Sequence, residues 1–126
     1  MCYKTLGVIL LTLLLLDALW LTFRYSYHNA LFAAVQGSPL KARWIPAAIV
    51  YLILATILYF GAVKDARSVK DAALRGAITG GLAYGFYDFT NYATLTRYTL
   101  EMTLTDTAWG AFVSAMAAGA AVFFTK

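Results

Sequence analysis

Three of the six acidic residues in this chain of 126 stand where hydrocarbon-facing residues would be expected. Asp17 interrupts Leu13-Leu14-Leu15-Leu16-Asp17-Ala18-Leu19-Trp20-Leu21, Asp88 lies in Tyr84-Gly85-Phe86-Tyr87-Asp88-Phe89-Thr90-Asn91, and Asp106 opens Asp106-Thr107-Ala108-Trp109-Gly110. Asp17 and Asp106 are each followed three residues on by a tryptophan, a spacing that brings both side chains to one helix face. Tyr84, Asp88 and Asn91 share a face in the same way, with Tyr87 and Tyr92 alongside. Carboxylates among aromatic rings suit a cation: a metal ion or proton through oxygen, or an organic amine through ring faces. Asp17, Trp20, Tyr84, Tyr87, Asp88, Asn91, Asp106 and Trp109 are therefore the candidate ligand-binding set. Whether a metal or cofactor takes part is left open.

Each member has a plainer explanation to set beside the chemical one. Asp106 stands where a helix should begin, and capping is favoured over a direct role. Asn91 could end a helix, and Trp20, Tyr84, Tyr87 and Trp109 could belong to the aromatic belt at the headgroups. Asp17 neither caps a helix nor reaches water with so short a side chain. An ionised acid in mid-span costs about 2.5 to 3.5 kcal/mol on insertion scales and usually faces the bundle interior with a partner. No Lys or Arg lies at a matching depth, so the expected partners are Asn91, Tyr84, Tyr87 or the threonines near Thr90 and Thr94, or else a shared proton, a cation or trapped water. Were Asp17 to approach Asp88 or Asp106, one carboxyl of the pair would hold a proton.

These residues need elements to position them. With 62% apolar residues and 13% charged, a chain this short cannot hide its hydrocarbon in a soluble core. Four apolar runs, Thr5 to Phe23, Ile45 to Val63, Ala72 to Phe89 and Thr107 to Phe124, each suit a bilayer core of about 30 Å. They must be helical, because lipid satisfies no backbone group. The reading is all-α: one domain over 1–126, an integral membrane bundle of four transmembrane helices. A further interfacial helix fits Tyr25 to Val35, where Tyr27, Leu31 and Val35 recur every four residues before Gly37-Ser38-Pro39 ends it. No small-x-small site follows Trp20, which argues against a cleaved signal peptide. Gly76, Gly80, Gly81 and Gly85, with Gly110, Ser114 and Ala118, predict close approach of the last two spans.

With alternating spans all three acids reach one leaflet. Lys4, Lys64, Arg67, Lys70, Arg75 and Lys126 fall on one side and Arg24, Lys41, Arg43 and Arg97 on the other, which puts both termini in the cytoplasm of a cell or inner membrane. The basic residues form no stripe, so nucleic acid is not an expected partner. Cys2, the single cysteine, excludes an intrachain disulfide and reads as an incidental thiol rather than an acylation site.

The motifs carry a likeness as well. Asp17 to Leu21, Tyr87 to Leu95 and Asp106 to Gly110 resemble, in order, the Asp-x-x-Trp-Leu, Tyr-Asp-Leu-Thr-Asn-x-Ala-Thr-Leu and Asp-x-x-Trp-Gly of a family of small bacterial membrane proteins with four predicted helices and unknown function. Phe89 replaces the usual leucine, and Tyr98 stands where a tryptophan is common. The resemblance implies the fold and a common place for the three acids, and it brings no activity.

Three functions compete. The first is binding or transport of a small, cationic ligand, where transport would need a homodimer because four helices leave little room for a pore. The second is an accessory subunit or scaffold of a larger membrane complex, with the acids fixing helix register. The third is an enzyme acting on a lipid-like substrate, with two acids dividing acid and base roles. No Ser-His pair, metal-ligand cluster or phosphate loop is present, and His28, the one histidine, reads as solvated or interfacial, which weighs against an enzyme.

Overall fold

A computed structural model of the chain describes residues 3–37 and 43–126. Every regular element among them is helical: α1 (Tyr3–Phe23), α2 (Tyr25–Gln36), α3 (Trp44–Leu58, continuing as a π-helical turn over Tyr59–Val63), α4 (Val69–Thr94) and α5 (Leu100–Thr125). Cys2 and the Ser38-Pro39 part of the expected stop signal lie outside the described residues.

α1 and α2 are nearly one helix. Arg24 leaves helical geometry at φ −104° and ψ 15°, yet the four-residue ladder runs through it, with Arg24 N–H bonding Trp20 O at 2.8 Å and His28 N–H bonding Arg24 O at 3.0 Å. Gly37 ends α2 in the left-handed region at φ 77°, its N–H returned to Ala33 O, a conformation natural to glycine. The expected face of α2 is buried: Leu31 packs with Tyr98 and Met102, and Tyr27 and Val35 lie against them. α2 thus covers the end of the bundle where α4 passes to α5.

Among the described residues three helices are long and apolar enough to cross a membrane: Tyr3–Phe23, Trp44–Val63 and Leu100–Thr125. The expected third span forms a longer helix than Ala72 to Phe89, but α4 is too polar along its length to join that group. The expected fourth span begins early. α5 starts at Leu100 and α4 runs to Thr94, so the stretch between the last two apolar runs is mostly helix, with only 95–99 outside one.

α4 and α5 make the most intimate pair. A Cβ on Gly76 would stand 2.6 Å from Ser114 O, one on Gly80 would overlap Ser114 Oγ, and one on Gly110 would overlap the Tyr84 ring. The small residues singled out from spacing are thus where the two backbones meet. Ser68 caps the start of α4. Asp71 N–H bonds the hydroxyl of Ser68 at 3.0 Å, and Arg67 N–H bonds the Asp71 carboxylate at 2.9 Å. Exposed Leu11, Leu15, Leu19, Ile45, Ile49, Ile53, Phe112, Met116, Phe123 and many like them clothe the outside in hydrocarbon.

Candidate functional site

Asp17 is 7% exposed and turned inward. It accepts hydrogen bonds from the Trp109 indole N–H at 2.7 Å and the Tyr51 hydroxyl at 2.8 Å. One carboxylate therefore gathers α1, α3 and α5. None of the partners expected from sequence is the one found, because α5 and α3, not α4, pack against this face of α1 at that depth. Trp109 is as much a bonding group as a belt residue, and its ring stacks on Trp20 with centroids 4.7 Å apart and planes 7° apart.

Asp106 lies one turn before Trp109 on the same face of α5. It does not cap the helix: Thr99 does, its hydroxyl accepting from Met102 N–H at 3.1 Å. The polar run Thr103-Leu104-Thr105-Asp106 is helical, so Asp106 falls in the second turn and faces inward, close enough for the Asp88 carboxyl to act on it. Asp88 itself is 0% exposed. Its Oδ1 accepts from the Tyr98 hydroxyl at 2.5 Å, and among the described residues its buried Oδ2 meets no donor. Asn91 does not end α4, which runs on to Thr94, and it lies near Tyr87 and Tyr98. Burial first, then the hydrogen bond to Asp88, pushes the Tyr98 hydroxyl well above the ordinary phenol value.

A cavity of about 500 Å³ opens beside this cluster. Asp17, Trp20, Tyr84, Tyr87, Asp106 and Trp109 line it, with Tyr51 and His28. Asp88 and Asn91 are not among its lining residues. Of the eight residues expected at a site, six border one cavity.

Four contributors escaped the reading of the sequence. Tyr51 and Tyr98 are two among nine tyrosines with no motif around them. Tyr51 has a signal in hindsight, as the polar side chain of the third helix at the depth of Asp17. His28, placed in water or at the interface, is 8% exposed, lines the cavity and keeps Nε2 without a partner. Its Nδ1 lies 3.1 Å from Arg24 O, an acceptor only, so Nδ1 carries the proton there. Arg24, counted as a loop charge, folds back over Trp20 and Tyr27, its guanidinium carbon 5.3 and 4.5 Å from their ring centres.

No group of three or more His, Cys, Asp or Glu among the described residues is arranged to hold a metal ion. The model of the predicted membrane protein family DUF2177 matches residues 2–123. The chain belongs to that family. No curated protein and no solved structure matches it. Membership establishes a membrane protein of unknown function, in keeping with the three apolar helices and the hydrocarbon surface.

Proposed function

We propose that this is a four-span membrane protein whose acid-lined cavity, in the outer leaflet, binds a small organic cation. The fourth crossing is α4. Its low mean hydropathy comes from four glycines and from polar residues gathered toward its two ends, Lys70, Asp71 and Arg75 at one and Thr90, Asn91 and Thr94 at the other, while Leu74, Ile78, Leu82, Phe86 and Phe89 present an exposed apolar stripe. Such a stripe is stable only against hydrocarbon or another protein. Counting Lys and Arg alone, the stretch from Lys64 to Arg75 across the α3–α4 turn is the richest, with four, which favours a cytoplasmic side for it and for both termini.

The observation that carries the binding function is the Asp88–Asp106 pair. Two carboxyls close enough to act on one another, one of them wholly buried and with an oxygen that no donor meets among the described residues, favour a proton or a cation between them. A cation entering the cavity displaces that proton and meets the Asp17 carboxylate, the Asp106 carboxyl and the faces of Tyr84, Trp20 and Trp109. A structural role in helix register alone would leave these acids indifferent to amines.

Benzylamine is a suitable probe, read by the fluorescence of Trp20 and Trp109 in a Trp44→Phe background. The expected result is saturable binding that releases a proton and weakens at least tenfold in Asp106→Asn, with helicity unchanged. Equal binding to parent and Asp106→Asn, or no saturable signal, would overturn this function.

A further inference from the structure

Beside the acids a ledge of buried nitrogens borders the same cavity, with Trp20 and His28 on its lining and Arg24 between them just outside it. Trp20 Nε1, Arg24 Nε and Nη2 and His28 Nε2 are all buried and, among the described residues, form no hydrogen bond. Residues 20, 24 and 28 follow one another at four-residue steps through the α1–α2 junction, whose unbroken backbone ladder puts them on one face. Trp20 and His28 meet edge to face at 6.3 Å and both line the cavity. Among the described residues Arg24 has one ion pair, a loose one at 3.8 Å to Glu101, whose side chain is 61% exposed. Buried donors without acceptors are costly, and a guanidinium is the most costly among them. An anionic group seated on the ledge would satisfy the Trp20 and Arg24 N–H groups, and would draw a proton to His28 Nε2 as a further donor.

The cavity also lacks a polar wall on one side. Val50, Ile53 and Ile57 of α3 line it while remaining 60%, 54% and 40% exposed, and Tyr87 of α4 is 53% exposed. In a membrane these residues face acyl chains, so the opening lies between α3 and α4 and leads sideways into hydrocarbon.

From these features we infer the ligand class: an amphiphile whose head carries an amine and a phosphate, as in an aminophospholipid. Its amine lies toward Asp17 and Asp106, its phosphate on the Trp20–Arg24–His28 ledge, and its chains pass out between α3 and α4. The inference rests on the cation-binding function and adds to it the anion subsite and the lateral mouth.

The test uses the full-length Trp44→Phe protein in a non-ionic maltoside detergent, with quenching of Trp20 and Trp109 by amphiphiles brominated along their chains. Phosphatidylethanolamine should bind at least tenfold more tightly than phosphatidylglycerol or a long-chain primary amine. Arg24→Gln should bring phosphatidylethanolamine down to the level of the amine and leave the amine unchanged, whereas Arg24→Lys should retain most of the preference. If the amine binds as tightly as phosphatidylethanolamine and Arg24→Gln changes nothing, the anion subsite is refuted and the cation site stands. Should soluble phosphoethanolamine compete as well as the lipid, the lateral mouth is refuted. Tightest binding by phosphatidylglycerol would sink the cation site as well, and benzylamine binding without any amphiphile quenching would sink this inference alone.

Discussion

The indole N–H of Trp109 donates to Asp17 Oδ1 at 2.7 Å across 92 positions of sequence, and so ties the last helix to the first. A hydrogen bond to a charged group contributes about 1.5 to 3 kcal/mol net, and losing one partner leaves the other buried and unsatisfied. Trp109→Phe should therefore lower stability by roughly that amount in unfolding by sodium dodecyl sulfate. In an Asp17→Leu background the same substitution should cost far less, because the acceptor is gone. Additive effects in that cycle would show that the bond does not hold the helices together.

Between α4 and α5 the contact is backbone against backbone. Gly80→Ala puts a methyl group into Ser114, and Gly76→Ala puts one 2.6 Å from Ser114 O, which cannot swing aside as a side chain could. Overpacking of this kind costs about 1 to 3 kcal/mol per site. Gly7 in α1 is the built-in control, since nothing lies within 4 Å of a Cβ there. Gly7→Ala should be neutral or stabilising by up to about 1 kcal/mol, as alanine is the better helix former. Equal effects at Gly7 and Gly80 would mean that the close approach is not real.

What could be read from sequence and what could not divide along physical lines. Apolar runs and the four-residue period of Tyr27, Leu31 and Val35 report helices directly, because burial against lipid or bundle selects side chains at every turn. Small residues on α4 and α5 report close packing for the same reason. The clustering of Asp17, Asp88 and Asp106 at one end follows from alternation of the helices alone. Hydrogen-bond partners follow from nothing so regular. Tyr51 sits in the apolar run of α3, and its role depends on how far α3 is rotated about its axis, which no spacing encodes. Asp106 was misjudged as a cap because Thr99, Thr103, Thr105 and Asp106 are all cap-forming types in eight residues, and only packing of the first turn of α5 against α2 decides among them.

Tyr98 gives the site a dependence on alkali. Its hydroxyl is neutral in the fold, raised by burial and by donation to Asp88. A group with a raised folded pKa contributes stability that is complete below its unfolded value and is lost as pH rises above it. The parent should thus lose stability above about pH 10 more steeply than Tyr98→Phe, by up to about 1.4 kcal/mol per pH unit for one proton. At neutral pH Tyr98→Phe should itself be destabilising, since Asp88 Oδ1 is left without its donor. Parallel stability curves above pH 10 would remove Tyr98 from the account.

The membrane course of α4 decides where the acids lie, and it can be tested apart from any ligand. Single cysteines at Asp65, between α3 and α4, and at Thr96, between α4 and α5, bracket the helix, with Cys2→Ser as background. A helix of 26 residues is about 39 Å long, enough to cross a hydrocarbon core of about 30 Å. A membrane-impermeant maleimide added to intact cells should label Thr96→Cys but not Asp65→Cys, and inverted vesicles should give the reverse. Labelling of both from the same side would mean that α4 turns back without crossing. The outer-leaflet place of the acids would then fall, and the stripe from Leu74 to Phe86 would need a protein partner in place of lipid.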